Sequence, residues 1–383
     1  MYGQTRKPTV TLVINEQKWD GSETSDAVKP PMKIVHVVYS LDMGGAEVLV
    51  AQLCRIQRAN GHQVSICAYS HLGPVGEVLR DEGFEVYVPG EASPAKTMLR
   101  YFRHFRALKP DVVHCHNVAP TIQAALPGRL AGAKRVISTR HSLVAPPYNV
   151  GEEVKYGVMA ASCDWIAGIC EVTCSNLRGA PLAHRKKIVR VYNGATAIEP
   201  VPFESLGKRG FTLVFVGRLA AVKNLQTLIR AVAIAVECLP ELELWVVGDG
   251  PVRAELEALT AELGVGDHVR FWGQRLDTAQ FFSAADAFVM SSVSEGLPMS
   301  LLQAMSVGVP AIVTDVGGMA EVVRLSGAGL LAPVGDSAAM AEQIVTLASN
   351  PELHAEFSRL ARETYSAEFT LECMEAAYLK LYS

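Results

Sequence analysis

The sequence predicts an α/β protein with two doubly wound parallel sheets that face a central cleft. Short apolar runs alternate with helical stretches, which is the pattern of repeated βα units. The alternation covers residues 32–194, is interrupted at 195–211 by a segment rich in Pro and Gly, and resumes over 212–365. A chain of 383 residues is also too long for one ordinary core. We therefore predict two Rossmann-like domains joined by a linker, with the ligand at the carboxyl ends of the strands.

Each domain is predicted from its own series of strands. The first opens with the run KIVHVVY, whose continuous apolar character is typical of a strand buried in a parallel sheet. The strands predicted in the first domain are 33–39, 64–68, 85–88, 111–116, 135–139, 165–169 and 187–192. Those predicted in the second are 212–216, 242–247, 269–272, 287–290, 311–313 and 330–331. Helical patterns between them include 98–108, 118–130 and the segments after Gly45 and Asn224.

Composition limits the class of protein. The chain is 49% hydrophobic and 19% charged, and its net charge of −4 gives no general reason to expect nucleic-acid binding. No apolar run approaches the ~20 residues of a membrane span. Residues 1–31 lack a signal-peptide layout and are predicted to be a disordered or loosely attached extension, with Val10–Ile14 as an alternative short strand. The eight cysteines contain no CxxC pair, which is typical of reduced thiols, so we expect a cytoplasmic protein.

The stretch from Ser291 to Asp315 combines a carboxylate with the start of a helix. Glu295 lies in a loop after a short apolar strand, and Pro298 suits the first turn of the helix that follows. Gly308 and Pro310 end that helix before the next strand. Backbone N–H groups at a helix N-terminus attract anions. A polyol that carries a phosphate would use both features.

A second candidate anion site lies at residues 217–224, directly after a predicted strand. Arg218 would leave the strand end, and Lys223 would lie by the N-terminus of the next helix. Two cations beside a helix N-terminus suit a diphosphate. The alternative is an ordinary strand–helix corner with solvated charges.

Glu295-Gly296-Leu297-Pro298, with the polar Gln303 eight positions after the Glu, resembles the signature of retaining family 4 glycosyltransferases of the GT-B fold. In that family the eighth position is usually a second Glu. The resemblance runs from about Lys33 to the C-terminus. It implies transfer of a sugar from a nucleotide-diphosphate donor, UDP-sugar favoured over GDP-sugar, to an acceptor hydroxyl in cell-envelope polysaccharide or glycolipid synthesis. It also implies an acceptor-side domain at 32–194, a donor domain at 212–365, and a C-terminal helix, 366–383, that crosses back to the first domain.

The resemblance assigns roles to the residues around Glu295. Glu295 would contact hydroxyls of the donor sugar, and backbone N–H groups at Gly296, Leu297 and beside Pro298 would hold phosphate. The second Glu of the family binds the nucleotide ribose, so Gln303 would take that role. A solvated helix position is the alternative for Gln303.

Other donor contacts follow from the same resemblance. Arg218 and Lys223 would bind the diphosphate, and the Gly44-Gly45 loop would face it across the cleft, although a plain turn explains those glycines too. His141, just after a predicted strand, would approach the donor sugar as a catalytic residue together with Glu295. Phe271 and Trp272 would lie on the base side, and core aromatics are the alternative there.

No metal or cofactor is expected. The chain contains no Asp-x-Asp motif, and Arg218 and Lys223 with a helix dipole would balance the charge that a divalent ion balances elsewhere. His114 and His116 point the same way along one strand, which could mimic a ligand pair. No third ligand stands out, so packed or hydrogen-bonded histidines are favoured.

A basic amphipathic helix gives a possible peripheral membrane contact. Arg100, Arg103, Arg106 and Lys109 alternate with apolar residues, and residues 184–187 are also basic. Such a surface could dock on anionic lipid, but a solvated helix face is the commoner explanation.

Two other functions remain compatible with these patterns: a GT-B-like nucleotide-sugar epimerase, and a non-catalytic nucleotide-sugar-binding protein suggested by Gln303. A dinucleotide oxidoreductase is disfavoured, because the loop after the first strand is not GxGxxG and no acidic residue ends the second strand.

Overall fold

The computed structural model describes residues 30–90, 92–143, 149–201 and 207–383. Val10–Ile14, nearly all of the predicted extension 1–31, and residues 202–206 of the predicted linker lie outside the described residues. Residues 32–383 form one compact unit.

The first half of this unit is built on a parallel sheet. Its strands are β1 (Lys33–Val38), β2 (Gln63–Ala68), β3 (Glu85–Tyr87), β4 (Val112–His116), β5 (Arg135–Arg140), β6 (Trp165–Gly168) and β7 (Ile188–Arg190). Among the described residues they make a seven-stranded sheet in the order β3-β2-β1-β4-β5-β6-β7. The order reverses between β1 and β4, which is the position at which doubly wound sheets bind ligands.

The second half repeats this plan. Its strands are β8 (Thr212–Val216), β9 (Glu243–Val247), β10 (Val269–Gly273), β11 (Ala287–Met290), β12 (Ala311–Thr314) and β13 (Gly329–Ala332). They form, in the part of the chain that the structure describes, a six-stranded parallel sheet in the order β10-β9-β8-β11-β12-β13. Here the reversal lies between β8 and β11. The predicted fold class, two Rossmann-like parallel-sheet halves, is therefore confirmed.

Helices connect the strands. In the first half they are α1 (Gly45–Ala59), α2 (Gly73–Asp81), α3 (Pro94–Leu108), α4 (Val118–Leu130), α5 (Val150–Ala160) and α6 (Glu171–Gly179). In the second half they are α7 (Leu225–Ala235), α8 (Arg253–Glu262), α9 (Thr278–Ala284), α10 (Met299–Ser306), α11 (Gly317–Ser326), α12 (Ser337–Ala348), α13 (Pro351–Glu368) and α14 (Leu371–Tyr382). None of the helices in the described ranges has the length and apolar character needed to cross a membrane.

Both faces of the first sheet are covered. Val37 and Val38 are neighbours on β1 and point to opposite faces, yet both are buried, in different apolar clusters. Strands buried on both faces need continuous apolar runs, which is why β1 and β8 were recognisable in the sequence.

The chain returns to the first half at its C-terminus. The predicted crossing helix, 366–383, begins later than expected, because α13 continues to Glu368 and Thr370 then caps α14 by accepting from the N–H of Cys373. The hydroxyl of Tyr382, on α14, lies 2.7 Å from Nδ1 of His114 on β4. The other domain bounds stay predictions.

Candidate functional site

The loop that follows β8 carries both predicted cations. Arg218 is exposed and Lys223 is half-buried. The N–H of Leu219 donates to the carbonyl of Asp249, in the turn after β9, at 2.9 Å. Within the described residues, no ion pair involves the Arg218 side chain, so its charge is available to an anion.

Lys223 and Glu295 form an ion pair. The ammonium of Lys223 donates to the carboxylate of Glu295, and the two side chains are only 16% and 18% exposed. Two further hydrogen bonds join the loops that carry them. The hydroxyl of Ser291 donates to the carbonyl of Asn224 at 2.9 Å, and the N–H of Val293 donates to the carbonyl of Val222 at 2.9 Å. The structure therefore brings these two predicted site residues into direct contact.

The loop of Glu295 rests on the N-terminus of α11. Gly317 has φ of +55°, and a Cβ added there would lie 1.7 Å from the carbonyl oxygen of Glu295. The N–H of Gly318 donates to the carbonyl of Gly296 at 2.7 Å. Sequence reasoning missed this support. The sequence signal for this support is the pair Gly317-Gly318 between a buried strand and a helix, as at Gly44-Gly45.

The same loop touches the first half of the protein. A Cβ added at Gly296 would lie 3.0 Å from the carbonyl oxygen of His141. The amide nitrogen of Asn193 donates to the carbonyl of Leu297 at 3.0 Å, and this asparagine is buried. The predicted residues His141, Glu295, Gly296 and Leu297 are thus neighbours across the domain boundary. Asn193 was not predicted.

A second tie between the halves centres on Glu321 of α11. Its carboxylate accepts from the hydroxyl of Tyr192 at 2.6 Å and from the N–H of Glu171 at 2.8 Å. Both donors belong to the first half. The contact holds α11, and with it Gly317, against the first half.

A cavity of about 350 Å³ lies beside Arg218. Met43 of the loop before α1 lines it from the first half. From the second half it is lined by residues around the ends of β8, β9 and β10: Val216, Gly217, Arg218, Val247, Gly248, Asp249, Gln274, Arg275 and Thr278. A cavity shared by both halves at the carboxyl ends of strands has the position expected for a ligand.

The predicted base-side aromatics do not line this cavity. The Trp272 ring packs edge-on against Phe281, with centroids 5.1 Å apart, and against Trp245 at 6.0 Å. Phe271 is half-buried and packs against the core. Gln274 and Thr278, which follow these aromatics in the chain, do line the cavity.

The remaining predicted residues lie at the start of α1 and on or beside α10. Gly44 is the N-cap of α1, and its N–H donates to the carbonyl of Asp42 at 3.0 Å, while Gly45 is the first residue of the helix. Pro298 is the N-cap of α10, one position earlier than the predicted first turn. Gln303 is half-buried on the second turn of α10.

The two histidines on β4 belong to a larger buried group. His36 lies on β1 directly beside His114 in the sheet register, and it supplies the third imidazole that sequence reasoning did not find. His36, His114 and His116 are close enough together to hold a metal ion. In this structure their ring nitrogens hydrogen-bond one another and neighbouring side chains, and His116 also bonds His141. Adjacency of β1 and β4 follows from the doubly wound order, so the sequence contained a signal for His36.

The basic helix α3 lies apart from these residues. The guanidinium of Arg100 donates to the carbonyls of Pro89 and Gly90. Arg106 and Lys109 line a separate cavity at the opposite, amino-terminal end of β4. The membrane contact stays a prediction.

Models of two glycosyltransferase families match the chain. Residues 43–197 match "Glycosyltransferase Family 4", and residues 202–364 match "Glycosyl transferases group 1". The putative glycosyltransferase EpsD of Bacillus subtilis is 32% identical over 292 residues, which are 70% of this chain and 76% of that relative. The lipopolysaccharide core biosynthesis glycosyltransferase LpsE of Rhizobium meliloti is 36% identical over 43% of this chain and 47% of its own length.

Solved structures show the same fold. Anabaena Alr3699/HepE in complex with UDP has a TM-score of 0.81 at 19% identity, over 91% of this chain and 99% of that one. The same protein in complex with UDP-glucose has a TM-score of 0.79 at 19% identity, over 91% and 98% of the two chains. The match to EpsD over most of both chains, the two family models and the shared fold together show that the chain belongs to glycosyltransferase family 4 and is a glycosyltransferase of GT-B architecture.

Proposed function

We propose that this glycosyltransferase moves a sugar, with retention of anomeric configuration, from a UDP-sugar to an acceptor hydroxyl in cell-envelope polysaccharide or glycolipid synthesis. The name of LpsE places that relative in lipopolysaccharide core synthesis. HepE binds UDP and UDP-glucose, which favours a uridine donor over a guanosine donor. The acceptor would bind to the first half and the donor to the second.

One observation carries the proposal: a guanidinium, an ammonium and a carboxylate follow the two adjacent central strands of the second sheet. Arg218 and Lys223 follow β8, and Glu295 follows β11. A diphosphate bound here would meet two cations, and each charge-assisted hydrogen bond contributes roughly 1.5–3 kcal/mol. A sugar attached to it would extend toward Glu295 and His141.

The sugar is transferred in one step that these residues assist. The bond between the anomeric carbon and the β-phosphate oxygen breaks, and Arg218 and Lys223 stabilise the charge that develops on the departing UDP. The acceptor oxygen bonds to the anomeric carbon on the face that the diphosphate leaves, and its proton passes to the departing phosphate oxygen. Glu295 and His141 hold the sugar hydroxyls. We assign no covalent nucleophile, so the step is a single displacement on one face.

Metal-independent transfer is part of the proposal. Arg218 and Lys223 supply fixed positive charge at the place where a divalent ion acts in other nucleotide-sugar enzymes. We expect a chelator to leave UDP binding unchanged, and a fall in affinity that added Mg²⁺ or Mn²⁺ restores would contradict this.

A thermal-shift panel of UDP, GDP and ADP tests the donor class, because a nucleotide that binds the native state raises the melting temperature. We expect UDP to give the largest shift. The corresponding UDP-sugars are then incubated with candidate acceptors, and the anomeric configuration of the product is read by NMR. An inverted product would exclude retention. Conversion of the donor sugar without transfer would favour an epimerase, and binding without turnover would favour a non-catalytic protein.

A further inference from the structure

A series of hydrogen bonds runs through the core of the first half and ends at His141. Oε1 of Gln57, on α1, lies 2.8 Å from Nε2 of His36. Nδ1 of His36 lies 3.0 Å from Nε2 of His116, and Nδ1 of His116 lies 2.9 Å from Nε2 of His141. Gln57, His36 and His116 are buried, and none of them lies in the loops that meet the second half.

Burial keeps these imidazoles neutral at neutral pH. Loss of hydration lowers the pKa of His36 to about 4, against a weaker opposing effect of its bond to Gln57. It lowers the pKa of His141 to about 4 as well, and that of His116 well below its ordinary range. A neutral imidazole carries one proton, so one ring nitrogen donates and the other accepts.

The position of that proton is determined at one end of the series. With the Gln57 amide oriented as in this structure, its carbonyl oxygen faces His36 and can only accept, so in this orientation Nε2 of His36 carries the proton and Nδ1 of His36 accepts. Nε2 of His116 must then donate to it, which leaves Nδ1 of His116 as an acceptor. His141 in turn donates from Nε2. Its Nδ1 is left with a bare lone pair.

That last atom has no hydrogen-bond partner among the described residues, although it is buried. A buried acceptor without a partner is costly and calls for an explanation. His141 lies where the two halves meet, with Gly296 against its carbonyl oxygen. This is the place where the proposed donor sugar would sit, and a sugar hydroxyl is a donor that an imidazole lone pair can accept.

We propose that Gln57, His36 and His116 are positioning residues that hold His141 in the Nε2–H tautomer, so that its Nδ1 accepts a hydrogen bond from one hydroxyl of the donor sugar. The sugar contact rests on the function proposed above, whereas the tautomer does not. Because Nδ1 is covered in this structure, the groups that cover it have to move before a hydroxyl reaches it.

The tautomer is measured first, without any donor. Protein with ¹⁵N-labelled histidine gives a long-range ¹H–¹⁵N spectrum in which bare and protonated ring nitrogens differ, and His141 is assigned from its loss in His141→Gln. We expect a bare Nδ1 and a protonated Nε2 on His141. Gln57→Met removes the acceptor and should yield a mixture of tautomers, whereas Gln52→Met, a matched change on the same helix, should not. A protonated Nδ1 in the wild type, or a stoichiometric metal on the histidines, overturns the proposal.

The effect on the sugar is measured by UDP release from UDP-glucose and from its 2-, 3-, 4- and 6-deoxy analogues. A neutral hydrogen bond corresponds to about 2- to 12-fold in kcat/KM. We expect Gln57→Met to lose this factor with UDP-glucose and to match the wild type with one analogue, the one that lacks the hydroxyl bound by His141. An equal loss with every donor would show a merely structural role and overturn the proposal.

The experiments distinguish a failure of the proposed function from a failure of the proposed His141 tautomer. If neither UDP nor UDP-glucose binds, the proposed function is wrong, and the NMR result still decides the tautomer. If UDP-glucose is turned over but His141 has the opposite tautomer, only the positioning role is wrong. Should Gln57→Met not fold, the wild-type spectrum alone remains decisive.

Discussion

The ammonium of Lys223 and the carboxylate of Glu295 form an ion pair although 72 residues separate them in the chain. The strands that precede them, β8 and β11, are neighbours at the point where the order of the second sheet reverses. Each side chain is less than a fifth exposed, so water screens the pair only in part. A diphosphate bound beside Arg218 would compete with Glu295 for the Lys223 ammonium.

Glu295→Gln should separate nucleotide binding from catalysis. The amide frees Lys223 for the diphosphate, so we expect UDP affinity to stay equal or rise up to about fivefold. Turnover should fall about 10- to 150-fold, because a charge-assisted bond to the sugar is lost. Calorimetry with UDP and a UDP-release assay measure the two effects. A variant that loses UDP affinity in proportion to turnover would place Glu295 on the nucleotide instead of the sugar.

Gln303→Glu should tighten UDP binding. A carboxylate accepts a ribose hydroxyl more strongly than an amide does, by about 1 kcal/mol, which is roughly fivefold in affinity. Calorimetry measures the change, and Gln343→Glu on α12 is the control for added charge. Unchanged or weaker affinity would mean that Gln303 does not contact the ribose.

Gly317→Ala should weaken donor binding in addition to lowering the unfolding free energy through backbone strain. Gly335 is the matched control, because its φ of +77° is also left-handed but a Cβ there meets nothing within 4 Å. Both variants should lose about 1 kcal/mol of unfolding free energy from the left-handed conformation. Only Gly317→Ala should also weaken UDP-sugar binding, because the Glu295 carbonyl has to move. Equal donor affinity in the two variants would argue against this support of the loop.

The buried histidines should make the protein less stable in mild acid. His36 and His141 have pKa values of about 4 in the native state, below the ordinary 6.5 that the unfolded chain recovers. Below pH 6.5 the unfolded state therefore binds more protons, and stability falls as the pH drops toward 4.

Each such histidine contributes about 1.4 kcal/mol per pH unit in that window. Urea unfolding at several pH values measures the slope. We expect His36→Phe to lower the slope by one proton. A flat profile between pH 6.5 and 4 would contradict the burial of these groups.

The sequence predicted the strands well, because strands buried on both faces are continuous apolar runs, and β8 and β11 have the predicted bounds. It also singled out Lys223 and Glu295, from their places after strands and beside helix N-termini, before the family resemblance assigned both to the donor. It did not reveal their ion pair, since a contact across 72 residues depends on which strands are adjacent.

Other features depended on tertiary structure in the same way. The support that Gly317 gives to the Glu295 loop could be recognised only from the distance between the two loops. The contact of His36 with the histidines of β4 could be recognised only from the register of β1 against β4. Phe271 and Trp272 were ambiguous because an aromatic pair at the end of a strand suits both a core and a base site.

The central claim is that Arg218 and Lys223 bind the diphosphate of the donor in the cleft between the halves. Calorimetric titration of UDP into the wild type, Arg218→Ala, Lys223→Ala and the exposed control Arg230→Ala tests it most directly. We expect the first two variants each to weaken UDP binding about 10- to 150-fold and the control to stay within twofold of the wild type. Wild-type affinity in both Arg218→Ala and Lys223→Ala would contradict the account.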